Sequence, residues 1–114
     1  HGESAAGGKV RSGLYHIWTH MRDRCANPRN RSFPYYGAKG IAVCAEWNDY
    51  AVFREWALSA GYRDIPSAAR GDRLSIDRID SSKGYSPDNC QFITFRENAT
   101  KALRSRSAHT ALRN

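Results

Sequence analysis

Read by its apolar and polar positions, the chain offers four segments whose periods can be told apart. In "SGLYHIWTHMRDRCANP" the apolar residues Leu14, Ile17, Trp18, Met21 and Cys25 fall at i, i+3, i+4, i+7 and i+11. That is the period of an amphipathic helix, with Ser12 as its expected N-cap and Asn27-Pro28 as its stop. "IAVC" (41–44) follows as a short apolar run, expected to be a strand. "EWNDYAVFREWALSAGY" returns to the helical period through Phe53, Trp56, Ala57 and Ala60, with Asn48 as expected N-cap and Gly61 as C′. Trp47 and Trp56 read as core.

The last patterned stretch is "RLSIDRI" as a strand, "DSSKGYSPD" as a loop, "NCQFIT" as a returning strand, and "FRENATKALRS" as a helix. Thr94 and Glu97 form T-x-x-E, a capping box that satisfies two orphan backbone donors at a helix start. A hairpin running directly into a capped helix is a ββα unit. The expected fold is therefore α+β: one small domain with an N-terminal helix, a central helix and a C-terminal ββα unit. Residues 1–11 read as a flexible segment and 12–104 as the domain. Within it, 12–61 form a helical and loop front half and 73–104 the ββα unit; 105–114 form a basic tail.

Length adds that 114 residues suit a single modest core. No apolar run is long enough to span a bilayer and the start lacks an apolar signal core, so the expectation is no membrane partner and a cytoplasmic location. Net charge is +7. Residues 8–44 carry seven Lys/Arg against one Asp, residues 89–114 carry five against one Glu, and 45–65 are acidic by two. Two basic ends around a slightly acidic middle suit a polyanion surface, or simply solubility. The loop "NPRNRSFPYYGAKG" mixes Arg29, Arg31 and Lys39 with Phe33, Tyr35 and Tyr36, a composition that grips phosphates and stacks on bases.

Cys25, Cys44 and Cys90 are odd in number and dispersed, which argues against a disulfide framework. They read either as small buried hydrophobes or as a Zn²⁺ site completed by His1, His16, His20 or His109. His16 and His20 lie four apart on the first helix, beside Arg22 and Arg24.

The segment "DRID…NCQFITFRENATKA" resembles the HNH (His-Me finger) endonucleases, in particular their phage homing-endonuclease branch. There a first motif D/N-H-x-D-G is followed by an asparagine before the return strand and a helix opening on "VTxxEN". The front half, "LYHIWTHMRDRCANP…YYGAKGIAVCAEW", resembles small phage and prophage proteins that carry the same ending, so the likeness runs over roughly residues 12–101. It implies a ββα-metal nuclease unit acting on duplex DNA. Asp77 falls on the strand ligand and Asn98 on the helix ligand of a Mg²⁺ or Mn²⁺ ion. Asn89 falls on the central asparagine that pins the loop by side-chain bonds to backbone.

Arg78 stands where that family has its catalytic histidine. Arginine is always protonated and accepts no proton, and general-base help is worth roughly 10²–10⁴ in rate. His16, His20 or His109 could supply a base instead, or metal-bound water could attack unaided. Arg78 could also clamp a phosphate, or pair with Asp77 or Asp80 to close the hairpin. The expected function is a DNA-binding protein of the HNH lineage with Mg²⁺-dependent nicking. The alternatives are a catalytically inactive DNA-binding or regulatory phage protein, or a small protein-binding inhibitor of a host defence system. Arg78, Arg96, Lys101 and Arg104, with Arg29, Arg31 and Lys39, are the expected phosphate contacts.

Overall fold

A computed structural model describes residues 13–64, 69–101 and 103. Ser12, His1, His109, Arg104 and the tail 105–114 lie outside the described residues. Helix α1 is Gly13–Ala26, and Leu14, Trp18 and Met21 form its buried stripe. Its first amide, Gly13 N, donates to Asp64 Oδ2 at 3.2 Å, so a distant carboxylate serves a donor that the helix start leaves orphaned. At the other end, Asn27 donates from its side chain to Asp23 Oδ1 and accepts from Arg29 N, which turns the chain out of the helix before Pro28 can clash with it.

Two 3₁₀ turns, Phe33–Tyr35 and Gly37–Lys39, carry the chain to Ile41. The strand expected at 41–44 reduces to one parallel bridge, Val43 to Tyr85. Tyr85 N donates to Ala42 O and Cys44 N to Tyr85 O, both at 2.9 Å, and Cys44 then leads straight into the 3₁₀ turn Ala45–Asn48. Contact with an irregular loop in place of a full strand partner explains why no ladder grows. Gly84 makes this contact possible, because a Cβ there would sit 2.4 Å from Ala42 O.

Helix α2 is Tyr50–Ser59, burying Tyr50, Phe53 and Ala57. Its cap is Asp49, whose side chain accepts from Ala51 N, and not Asn48, which is taken up in the preceding 3₁₀ turn. The C-terminus follows expectation. Gly61 adopts φ +94°, Gly61 N donates to Leu58 O and Tyr62 N to Ala57 O, the paired bonds of a Schellman motif.

The sheet has two antiparallel strands, β1 (Leu74–Arg78) and β2 (Cys90–Thr94). Asp77 faces Gln91 and Arg78 faces Cys90 in register. Residues 95–101 form helix α3, and both halves of the capping box are made: Thr94 N to Glu97 Oε1 at 2.9 Å and Glu97 N to Thr94 Oγ1 at 3.0 Å. The fold is α+β around one hydrophobic cluster. Trp47, fully buried, packs on Phe53 and Trp56, and Trp56 and Tyr62 both pack on Phe92 of β2. Trp18 ties α1 in, donating from its indole to Trp47 O at 2.8 Å within the core. Among the described residues no helix is long and apolar enough to cross a membrane.

Candidate functional site: a cationic cleft over the hairpin

An open cleft of about 540 Å³ lies between α1 and the β1–β2–α3 unit. Its lining includes Ser75, Asp77 and Arg78 from β1, and Asn98 and Lys101 from α3. Helix α1 supplies Ile17, His20 and Arg24; Tyr36 and Tyr85 complete the wall. Strand alternation and the α3 helical period explain four of these, since Ser75 and Asp77 are two apart and Asn98 and Lys101 three apart, while Arg78 is the last residue of β1.

Asp77 is buried, with 7% of its surface exposed. A buried carboxylate needs partners for both oxygens, and it has them. Lys101 Nζ sits 2.9 Å from Oδ1 and 2.8 Å from Oδ2, and Gln91 Nε2 donates to Oδ2 at 3.0 Å. The ammonium also donates to Arg78 O at 2.9 Å, which uses all three of its hydrogens. Asn98 lines the same cleft, but its amide donates to Ser75 Oγ at 3.3 Å, and Ser75 in turn donates to Ile93 O. The two expected ligands therefore share the cleft, while the cation held on the carboxylate is the protein's own lysine. In this arrangement the pair does not fit a Mg²⁺ ion, because an ammonium occupies the carboxylate's open side. Lys101, expected on phosphates, is thus an internal counter-ion.

Asn89 pins the hairpin loop as its position suggested. Its Oδ1 accepts from Asp80 N at 2.9 Å, and its Nδ2 donates to Asp80 O and Gly84 O. Asp80 is itself held by Ser82 N and Oγ, bonds that lower its carboxyl below the ordinary value.

Among the described residues Arg78 makes no carboxylate pair. Its Nη1 donates to the carbonyls of Ser81 and Lys83 at 2.6 and 2.9 Å, closing the loop through backbone. Its guanidinium lies 5.2 Å from the Tyr36 ring and 5.3 Å from the Tyr85 ring. Arg24 meets the same two rings at 5.1 and 5.3 Å, and donates from Nε and Nη2 to Tyr85 Oη at 3.1 and 2.8 Å. The rings stand near-parallel, 24° apart with centroids 6.4 Å apart. Burial raises the Tyr85 phenol above its ordinary value, and Arg24 works against that rise. Sequence reasoning passed over Tyr85; the available signal was a lone aromatic beside glycine in an otherwise polar loop.

The other expected phosphate contacts lie elsewhere. Arg29, Arg31 and Lys39 are exposed and do not line the cleft, and of their aromatic neighbours only Tyr36 enters it. Arg96 is ion-paired with Asp72 at 2.7 Å on the surface. Cys25, Cys44 and Cys90 do not converge: among the described residues no three His, Cys, Asp or Glu side chains are grouped to hold a metal. Burial pushes all three thiols up, Cys90 to about 11. No grouped ligand set for the expected Zn²⁺ is present among the described residues, and His1 and His109 lie outside them.

Compared with family models, curated proteins and solved structures, the chain matches none.

Proposed function

We propose that this is a nucleic-acid-binding protein of the HNH (His-Me finger) lineage that grips phosphate in the cleft over β1 without cutting it. The observation that carries the reading is the charge arrangement of that cleft. Two guanidinium groups, Arg24 and Arg78, flank it with no carboxylate partner among the described residues, while its one buried carboxylate is already neutralised by Lys101. Arginine presents fixed, planar donors suited to phosphate oxygens, and the tyrosine rings hold both side chains ready. The exposed Arg29, Arg31 and Lys39 would extend the same grip along a duplex.

Binding without cleavage follows from two residues. Arg78 stands at the position where a base would be needed and cannot accept a proton. Lys101 holds Asp77, so a divalent ion would first have to displace a three-bonded ammonium. A second reading, Mg²⁺- or Mn²⁺-dependent nicking, is favoured by one observation: His20 lines the cleft with Asp77 and Asn98, where a neutral imidazole is a general base of the needed kind.

The test is duplex DNA affinity across a salt series, run beside plasmid nicking in Mg²⁺ and Mn²⁺. The proposal expects affinity that falls steeply with salt and no nicking. Nicking that His20→Ala abolishes would establish the second reading. Affinity absent at every salt concentration would overturn both.

A further inference from the structure

The two arginines do more than add positive charge. Both guanidinium groups approach both rings of one stacked tyrosine pair, at four distances between 5.1 and 5.3 Å, so they lie on a common belt around it. Like charges gathered in this way repel, and no carboxylate among the described residues pairs with either of them. Asp77 belongs to Lys101; Asp80, within the field of Arg78, is bound by Ser82, and Asp23, beside Arg24, by Asn27 and Asn30, and neither lines the cleft.

Each guanidinium is also fixed by neutral acceptors: Arg24 by the Tyr85 phenol, Arg78 by the Ser81 and Lys83 carbonyls. Holding a cation by neutral oxygens preserves its full charge for a ligand. Nη1 of Arg24, and Nε and Nη2 of Arg78, make no hydrogen bond among the described residues, which leaves donors on both groups for a further acceptor.

We propose that the Arg24–Arg78 pair is a receptor for a phosphate monoester, the dianionic group at the end of a phosphorylated nucleic-acid strand. A phosphodiester within a strand carries one negative charge, which matches one guanidinium. A monoester carries about −1.5 to −2 at neutral pH and presents three terminal oxygens, which matches two guanidinium groups side by side. The inference deepens the nucleic-acid reading and rests on it for the strand; the pairing of two arginines with a dianion stands on the cleft alone.

Fluorescence anisotropy of one duplex, prepared with a 5′-phosphate, with a 3′-phosphate and with neither, tests it directly. The full chain should bind one phosphorylated form about ten- to a hundredfold more tightly than the unphosphorylated duplex, the factor that charge-assisted hydrogen bonds supply. Inorganic phosphate should compete away that advantage and leave the remaining affinity. Arg24→Gln and Arg78→Gln should each erase the difference between duplexes, whereas Arg29→Gln should weaken all three alike. Arg78→Lys keeps the charge and loses the planar fork; a preference much reduced in this variant supports the assignment even if a glutamine variant folds poorly. Equal affinity for the three duplexes in the unmodified chain overturns the proposal while leaving nucleic-acid binding intact. If no duplex binds yet inorganic phosphate shifts the ³¹P resonance in an Arg24- and Arg78-dependent way, the phosphate site stands and its ligand is a free phosphate. Absence of both signals overturns the proposal together with the reading beneath it.

Discussion

Lys101 closes on Asp77 from the second turn of α3, its ammonium 2.8 Å from Oδ2 and within hydrogen-bond reach of both carboxylate oxygens. The carboxylate is buried while the lysine side chain keeps 40% of its surface exposed. Removing the lysine therefore strands a buried charge, and its own exposure limits what is lost. Lys101→Met should lower stability by about 2 kcal/mol, below the 3–5 kcal/mol typical of a fully buried pair. Adding Asp77→Asn to that variant should recover part of the loss, since the stranded charge is then gone. Urea unfolding of the three proteins measures both steps. A double variant no more stable than Lys101→Met would show that the ion pair is not what holds this end of α3.

The same lysine decides metal affinity. With Lys101→Met, Asp77 regains an open side beside Asn98, and a hard divalent ion has a carboxylate and an amide to join. Millimolar Mn²⁺ should then raise the melting temperature of Lys101→Met and leave that of the unmodified chain unchanged, by the ordinary linkage between ligand binding and stability. An equal rise in both proteins would mean that the ion binds elsewhere.

How much of this was legible beforehand divides by the range of the interaction. The helix period of α1 and α2, the Gly61 stop, the Thr94–Glu97 box and the Asn89 pin all rest on neighbours within about ten residues, and each appears as read. The misreadings involve choices made in three dimensions. Asn48 and Asp49 are both good caps, and the chain's exit from the Trp47 turn selects the second. Residues 41–44 have strand composition but meet only a loop, so they pair once. Arg78 sits beside two aspartates in sequence, yet Asp77 is taken by a residue from α3 and Asp80 by Ser82, which leaves Arg78 the loop carbonyls and the tyrosine rings. Lys101 looked like one more member of a basic end, because sequence gives charge without direction.

Asn89 makes three hydrogen bonds to the backbone of the hairpin loop, beside those that Arg78 and Ser82 make in it. Asn89→Ala would leave Asp80 N and Gly84 O in search of water, while Asp80 O keeps only its bond from Lys83 N. The expected cost is about 2–3 kcal/mol, larger than for a typical surface polar residue. Because Gly84 carries Tyr85, hydrogen exchange at Tyr85 N and Cys44 N should accelerate together in this variant. Unchanged protection at both amides would separate the pin from the Tyr85 bridge.

Arg78→His tests how much of a catalytic arrangement surrounds position 78. It places a proton acceptor next to Asp77 and removes a cation from the tyrosine stack. In the unmodified background Lys101 still holds Asp77, so no nicking should appear. Combined with Lys101→Met, it should give Mn²⁺-dependent plasmid nicking above background. Nicking by the single Arg78→His variant would show that the lysine yields to metal without help, and an inert double variant would separate this cleft from nuclease chemistry.

Alkaline stability should report on Cys90. The thiol sits at the head of β2, buried, and desolvation raises its value from 9.0 to about 11. A raised folded value means that the unfolded chain releases the proton first. Its contribution is therefore complete below pH 9 and falls as pH rises from about 9 to about 11, where the folded thiol ionises as well. Tyr85, raised above 10.0, adds a second loss that begins about one unit higher. The midpoint of urea unfolding should decline between about pH 8.5 and 10 in the unmodified chain, where all three raised thiols act, and decline less in Cys90→Ala. Above about pH 11 the two curves should fall in parallel, since Tyr85 is common to both. Parallel curves over the whole range would mean that the thiol ionises in place without disturbing the strand, and that burial at position 90 is shallower than the packing around it indicates.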